Sequence, residues 1–260
     1  MGATIAVLSQ KGGTGKTTTV RTLADVLRRI GLSVLVVDLD PQGNLSDYFD
    51  VDPEASPTVG DVLSGRADAT AAVFDGIMPA NLSLAEAELT LVGKMGRELT
   101  LRRALAPLRE DYDLILLDCP PSLGLLTVNA LVAADHALLT TEAQYFALQG
   151  VEQALEVIEL ARDGLNPDLG WLGVVFNIAD MRTRHSRESY ATLRAHIGEK
   201  LFRSTVRQSI AYAESAELAI SILDHRPDLG ADYLALADEL LERLKMPDPR
   251  VRLKTLIDRA

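Results

Sequence analysis

A short glycine-rich stretch near the amino terminus has the residue types that bind phosphate groups. Residues 9–18 read SQKGGTGKTT; they follow the apolar run Ile5–Leu8 and precede an amphipathic helical pattern. Glycines allow successive backbone N–H groups to point into one concavity, and a helix N-terminus adds partial positive charge. In this arrangement Lys16 reaches phosphate oxygens and the Thr17 hydroxyl binds Mg²⁺. The stretch predicts a nucleotide phosphate site; the alternative is a glycine-rich turn with two solvated lysines.

The loop departs from the common pattern G-x-x-x-x-G-K-[ST], because Gln10 stands where that pattern has its first glycine. A second lysine, Lys11, begins the loop instead. The run KGGTGKTT resembles the deviant phosphate loop of the ParA/MinD family of ATPases. The resemblance implies that Lys11 reaches across a dimer interface to the partner's nucleotide and, like Lys16, acts in catalysis. The nucleotide-binding set that it implies here is Lys11, Gly12, Gly13, Thr14, Gly15, Lys16, Thr17 and Thr18.

Two further aliphatic runs end in aspartate. Val34–Val37 is followed by DLDPQGN, which contains Asp40, and Leu114–Leu117 is followed by Asp118 and CPPS. Carboxylates at the carboxyl ends of parallel strands fall where open α/β sheets bind ligands. Both motifs resemble those of the ParA family, which implies that Asp40 positions the attacking water and that Thr17, Asp40 and Asp118 form the Mg²⁺ region. As alternatives, Asp40 is a turn residue before proline and Asp118 caps the next helix.

Asn177 follows a predicted strand over Trp171–Phe176. Its side chain carries both a hydrogen-bond donor and an acceptor. In the wider family an asparagine at this strand end contacts the edge of adenine, so the resemblance implies the same role here. A turn residue would give the same sequence pattern, and this alternative stays open.

Composition is that of a soluble globular protein: 260 residues, 47% hydrophobic and 24% charged. No apolar run approaches the length that spans a bilayer, and no signal peptide opens the sequence. The one cysteine, Cys119, excludes an intramolecular disulfide and a CxxC metal site. We therefore expect a cytoplasmic protein.

The net charge of −11 hides a basic segment. Between residues 181 and 207 there are six arginines and one lysine against two glutamates, a local charge of +5 that leaves −16 for the remainder. We expect few acidic partners there and predict phosphate contacts to non-specific double-stranded DNA. A solvated surface helix is the alternative. The predicted DNA-binding residues are Arg182, Arg184, Arg187, Arg203 and Arg207.

Aliphatic strands alternate with amphipathic helices along the sequence. This alternation predicts one three-layer α/β domain over residues 1–246, with a mostly parallel twisted sheet and helices on both faces. A short strand is expected at Leu82–Leu84. Residues 247–260 read as a short basic tail that is frayed or docks on a partner, and membrane binding is not expected because its apolar set is small.

The resemblance to the ParA family covers essentially the whole chain. It implies a Mg²⁺-dependent ATPase with ATP and Mg²⁺ as cofactors, which forms a homodimer in the ATP state and binds DNA non-specifically. It also implies a nucleoid-associated protein for plasmid or chromosome partition, whose hydrolysis is stimulated by a ParB-type partner. Two alternatives remain: a ParA-like ATPase that positions a protein cargo, and a MinD-like ATPase bound to the membrane.

Overall fold

The computed structural model describes residues 2–144 and 147–258. Within these residues seven strands form one sheet, in which every neighbouring pair runs parallel. Their order across the sheet places the first strand at its centre. The strands are Ala3–Leu8 (β1), Val34–Asp38 (β2), Ile77–Met78 (β3), Leu114–Asp118 (β4), His136–Glu142 (β5), Gly170–Ala179 (β6) and Leu201–Arg207 (β7), in the spatial order β3-β2-β4-β1-β5-β6-β7.

Twelve α-helices connect the strands in the described part of the chain. None of them is long and apolar enough to cross a membrane. The helices are Lys16–Arg29 (α1), Asn44–Tyr48 (α2), Val59–Ser64 (α3), Ser83–Val92 (α4), Thr100–Leu105 (α5), Leu125–Ala133 (α6), Ala147–Gly164 (α7), Arg184–Ile197 (α8), Ala211–Glu217 (α9), Ile222–His225 (α10), Pro227–Arg243 (α11) and Pro247–Ile257 (α12).

The helices cover both faces of the sheet. One hydrophobic cluster packs α3 to α8 against one face, and a second packs α1, α2 and α9 to α12 against the other. Strands buried on both faces are continuous apolar runs, as residues 5–8 of β1 and 114–117 of β4 are. The three-layer α/β fold predicted from the sequence is confirmed, and its parallel strands all end at the edge where the phosphate loop lies.

The prediction of a strand at Leu82–Leu84 is wrong. Helix α4 begins there, because the Asn81 carboxamide oxygen accepts hydrogen bonds from the backbone N–H (3.0 Å) and hydroxyl (2.6 Å) of Ser83. Leu84, Ala87 and Leu91 then face the core at helical spacing. A three-residue alternation is too short to outweigh this longer helical period.

The carboxyl-terminal segment is also different from the expectation. Over residues 247–257 it forms α12, which packs on α11 and buries Leu253 completely. The Arg250 guanidinium donates to both carboxylate oxygens of Asp238 at 2.7 and 2.8 Å. The prediction of a frayed tail is therefore wrong for this helix, because basic and apolar side chains of α12 contact α11, whereas docking on a partner stays a prediction. Residues 259 and 260 lie outside the described residues.

Candidate nucleotide-binding site

The phosphate loop joins β1 to α1 and is held by its own side chains. The backbone angle φ is +77° at both Gly13 and Gly15, a conformation that glycine adopts without strain. The buried Thr14 hydroxyl donates to Ser9 Oγ at 2.9 Å and lies 3.0 Å from Thr140 Oγ1 on β5. The loop is thus fixed to the neighbouring strand before α1 begins.

Thr17 and Asp118 meet behind this loop. Thr17 Oγ1 donates to Asp118 Oδ2 at 2.7 Å, while Asp118 Oδ1 is buried without a hydrogen-bond partner. Burial raises the pKa of the Asp118 carboxyl, and the nearby Asp38 raises it further, whereas the Lys16 ammonium and the Thr17 hydroxyl lower it. These groups fit Mg²⁺, which takes hydroxyl and carboxylate oxygens together with the phosphates of a substrate. A cation beside Asp118 would satisfy its unpartnered oxygen.

Asp38 orders the turn that carries Asp40. Its carboxylate accepts from the backbone N–H groups of Asp40 and Ser46, both at 3.0 Å, and from the Ser46 hydroxyl at 2.8 Å. Asp38 is fully buried beside Asp118 on the adjacent strand, and burial raises its pKa. The site prediction from sequence omitted Asp38, although its place two residues before Asp40 at the end of β2 was a usable signal.

Asn177 lies beneath the phosphate loop and is 1% exposed. Its Nδ2 donates to the Thr14 carbonyl oxygen at 2.8 Å and to Thr19 Oγ1 at 3.1 Å. Its Oδ1 is buried without a hydrogen-bond partner. The side chain is therefore not a turn residue facing solvent: its donor group holds the loop, and its acceptor is buried.

A cleft of about 840 Å³ opens at the carboxyl edge of the sheet. Its volume lies within the range of roughly 300–1,000 Å³ that is typical of ligand pockets. One wall contains two tyrosines that the sequence did not single out: the Tyr48 hydroxyl donates to the Tyr212 carbonyl oxygen at 2.7 Å and joins α2 to α9. The predicted site residues that line the cleft are Gly12, Gly13, Gly15, Lys16, Thr17, Thr18, Asp40, Asn177 and Arg207.

Lys11 occupies a different position from the other loop residues. It is exposed and lines a neighbouring groove, together with Gln10, Thr141 and Glu142, rather than the cleft. Burial raises the pKa of the Glu142 carboxyl, and the positive charge of Lys11 lowers it. The structure therefore separates the two loop lysines, with Lys16 buried at the cleft and Lys11 at the surface beside β5.

The predicted basic segment divides into separate surfaces. Arg182, Arg184 and Arg187 lie together where β6 connects to α8. Arg182 is 92% exposed and contacts Asp180 at 2.8 Å; Arg184 is 86% exposed and contacts Glu188 at 2.6 Å. Arg187 donates to two carbonyl oxygens of the preceding loop. We call these three residues the β6–α8 arginines.

Arg203 and Arg207 are instead held by α11. Arg203 contacts Glu242, and Arg207 Nε donates to Asp232 at 2.9 Å. Arg203 lines a groove at the amino edge of the sheet, whereas Arg207 lines the cleft at the carboxyl edge. The expectation of few acidic partners is therefore wrong, because α11 packs against β7 and brings carboxylates from outside the basic segment.

Known proteins are similar to this chain over most of its length. Residues 2–171 match the family model described as an AAA domain. The chain is 41% identical over 246 residues to the chromosome-partitioning ATPase Soj of Thermus thermophilus, an alignment that covers 93% of this chain and 96% of that protein. It is 35% identical over 261 residues to the chromosome partitioning protein ParA of Myxococcus xanthus, covering 97% of this chain and 92% of the relative.

A solved structure shares the fold and about a third of the aligned sequence. The protein named cobyrinic acid a,c-diamide synthase from Mycobacterium smegmatis, with a bound ATP analogue and magnesium, superposes with a TM-score of 0.83 at 36% identity. The match covers 95% of this chain and 97% of that one. With the deviant phosphate loop, the two strand-end aspartate motifs and relatives that align over nearly their full length, the chain belongs to the ParA family of P-loop ATPases.

Proposed function

We propose that this protein is an ATP-dependent dimerisation switch that binds DNA non-specifically and partitions a chromosome or plasmid. The observation that carries the proposal is the convergence of Lys16, Thr17 and Asp40 on one cleft, with Asp118 hydrogen-bonded to Thr17 behind it. The names of the Thermus and Myxococcus relatives support chromosome partitioning as the process. ATP and Mg²⁺ are the cofactors that the site would take.

Four residues in or behind the cleft have roles in this proposal. Lys16 neutralises phosphate charge, and Thr17 and Asp118 hold the metal region. Mg²⁺, when bound, neutralises the charge that develops on the phosphates. Asp40, which lines the cleft and whose backbone N–H donates to Asp38, orients the attacking water. Phosphoryl transfer is catalysed mainly by positioning and electrostatic stabilisation, and these residues would supply both.

The dimer would close over the nucleotide-bearing edge of the sheet. Lys11 is exposed at this edge beside, rather than inside, the cleft of its own chain, which supports a role toward the nucleotide of the partner. Dimerisation would also bring two sets of the β6–α8 arginines to one duplex. Two linked sets of contacts bind more tightly than one, so DNA affinity should follow the ATP state.

A ParB-type partner would stimulate hydrolysis and release the protein from the nucleoid. A protein cargo in place of a plasmid or chromosome would use the same switch and DNA track, and the identity of the partner would distinguish the two. The MinD-like alternative is less well supported, because α12 buries Leu253 against the domain instead of offering a free amphipathic face to lipid.

The experiment measures binding to a random-sequence duplex with ATP, ADP or no nucleotide, over a salt series. Asp40→Ala serves to trap the ATP state, and Lys16→Ala is the control that lacks nucleotide binding. We expect binding only with ATP, with a steep salt dependence and no sequence preference. Absence of DNA binding by a confirmed ATP dimer would refute the DNA track, and binding of that dimer to anionic liposomes would favour the membrane alternative.

A further inference from the structure

The carboxamide of Asn177 has an orientation that its neighbours determine. The Thr19 hydroxyl donates to the Gly15 carbonyl oxygen at 2.7 Å, so its lone pairs face Asn177 Nδ2 at 3.1 Å. The Thr14 carbonyl oxygen, 2.8 Å from Nδ2, can only accept. Reversing the amide would place Oδ1 against two acceptors, so the NH₂ group must face the loop.

Both amide hydrogens of Asn177 are therefore committed to the phosphate loop and the first turn of α1. Gly15 makes this approach possible, because a Cβ at that position would lie 2.9 Å from Asn177 Nδ2. The φ of +77° at Gly15 also disfavours any residue with a side chain at this position. The loop and β6, which are distant in sequence, are joined at the point where the loop turns into the helix.

We infer that Asn177 is a positioning residue that holds the phosphate loop in its binding conformation. This inference rests on the proposed nucleotide site. It assigns both donors of Asn177 to the loop and the first turn of α1, while Oδ1 is itself buried. Substituting a residue that contacts only the nucleobase should weaken the binding of ATP. Substituting a residue that positions the loop should weaken the binding of every polyphosphate ligand.

The test compares the affinities of ATP, GTP and inorganic tripolyphosphate, each with Mg²⁺, in the wild type and in Asn177→Ala. We expect about a tenfold loss for all three ligands, because the loop loses hydrogen bonds that preorganise it. Thr19→Val, which removes the acceptor of the same network at nearly constant volume, should weaken tripolyphosphate binding in the same direction.

Asn166→Ala is the matched control. Asn166 is also a buried asparagine, and its Nδ2 donates to the carbonyl oxygens of Leu131 and Ala134, at 2.9 and 2.7 Å, away from the loop. It should lose folding stability but keep its tripolyphosphate affinity within about twofold of the wild type. An equal loss of tripolyphosphate affinity in this control would show a general effect of destabilisation and overturn the inference.

Hydrogen exchange of the nucleotide-free protein tests the same point without a ligand. The Thr19 amide, which donates to the Gly15 carbonyl oxygen at 2.9 Å, should exchange faster in Asn177→Ala than in the wild type or Asn166→Ala. Unchanged exchange, or a loss confined to ATP, would overturn the positioning role. Failure of the wild type to bind ATP would instead refute the proposed nucleotide site, so the two failures are distinguishable.

Discussion

Replacing the three β6–α8 arginines by alanine should remove most of the salt dependence of DNA binding. Arg182 and Arg184 are almost fully exposed, and their ion pairs with Asp180 and Glu188 lie at the surface. Surface ion pairs contribute little to folding stability, so these guanidinium groups are free to exchange a carboxylate for a DNA phosphate. Arg187 donates to the carbonyl oxygens of Met181 and Arg182, so its loss acts on that loop, and the triple variant should keep its overall fold.

The expected magnitude follows from the number of phosphate contacts. Each contact contributes about 0.9 to the slope of log affinity against log salt concentration. Three arginines from each of two protomers would contribute about 5 to the slope, and each single substitution should lower it by about 2. The assay is duplex binding over a salt series in the Asp40→Ala background with ATP, after confirmation that each variant forms a dimer.

Arg203→Ala is the control, because Arg203 contacts Glu242 and lies at the opposite edge of the sheet. Its slope should change by less than about one phosphate contact. An unchanged slope in the triple variant would refute the assignment to the β6–α8 surface. If Arg203→Ala lowers the salt slope as much as each β6–α8 substitution does, Arg203 contacts DNA despite its ion pair with Glu242.

The other predictions concern the nucleotide site and the fold. Lys16→Ala should abolish ATP binding, whereas Lys11→Ala should keep ATP binding and lose the dimer in sedimentation; a normal dimer would contradict the cross-subunit role. Leu253→Ala should lower the free energy of unfolding by about 3 kcal/mol in urea, because it leaves a cavity under α12; the exposed Val251→Ala is its control, and equal effects would contradict the packing. Burial raises the pKa of the Asp118 carboxyl above its ordinary value of 3.8, so its contribution to the stability of the nucleotide-free protein should decline as the pH rises above that value through neutrality. Asp118→Asn should flatten this dependence in urea unfolding at several pH values, and an identical pH profile would contradict it.

The sequence alone determined the fold class and the location of the phosphate loop. Lys16 and Thr17 lie within one short run, and the strand before and the helix after it show clear periodicity. Such features depend on neighbours along the chain, so their interpretation needs no knowledge of distant contacts. The strand-end positions of Asp40 and Asp118 likewise follow from apolar runs that stop at a polar residue.

The tertiary structure alone decided which charges and polar groups meet. Asp38 and Asp118 are 80 positions apart in the sequence, and they become neighbours because β2 and β4 pair in register. Arg203 forms an ion pair with Glu242 because α11 packs beside β7. Asn177 contacts the phosphate loop because β6 ends beneath α1. Hydrogen bonds and ion pairs act over a few ångströms, so their partners are set by the packing of remote elements, which local periodicity does not encode.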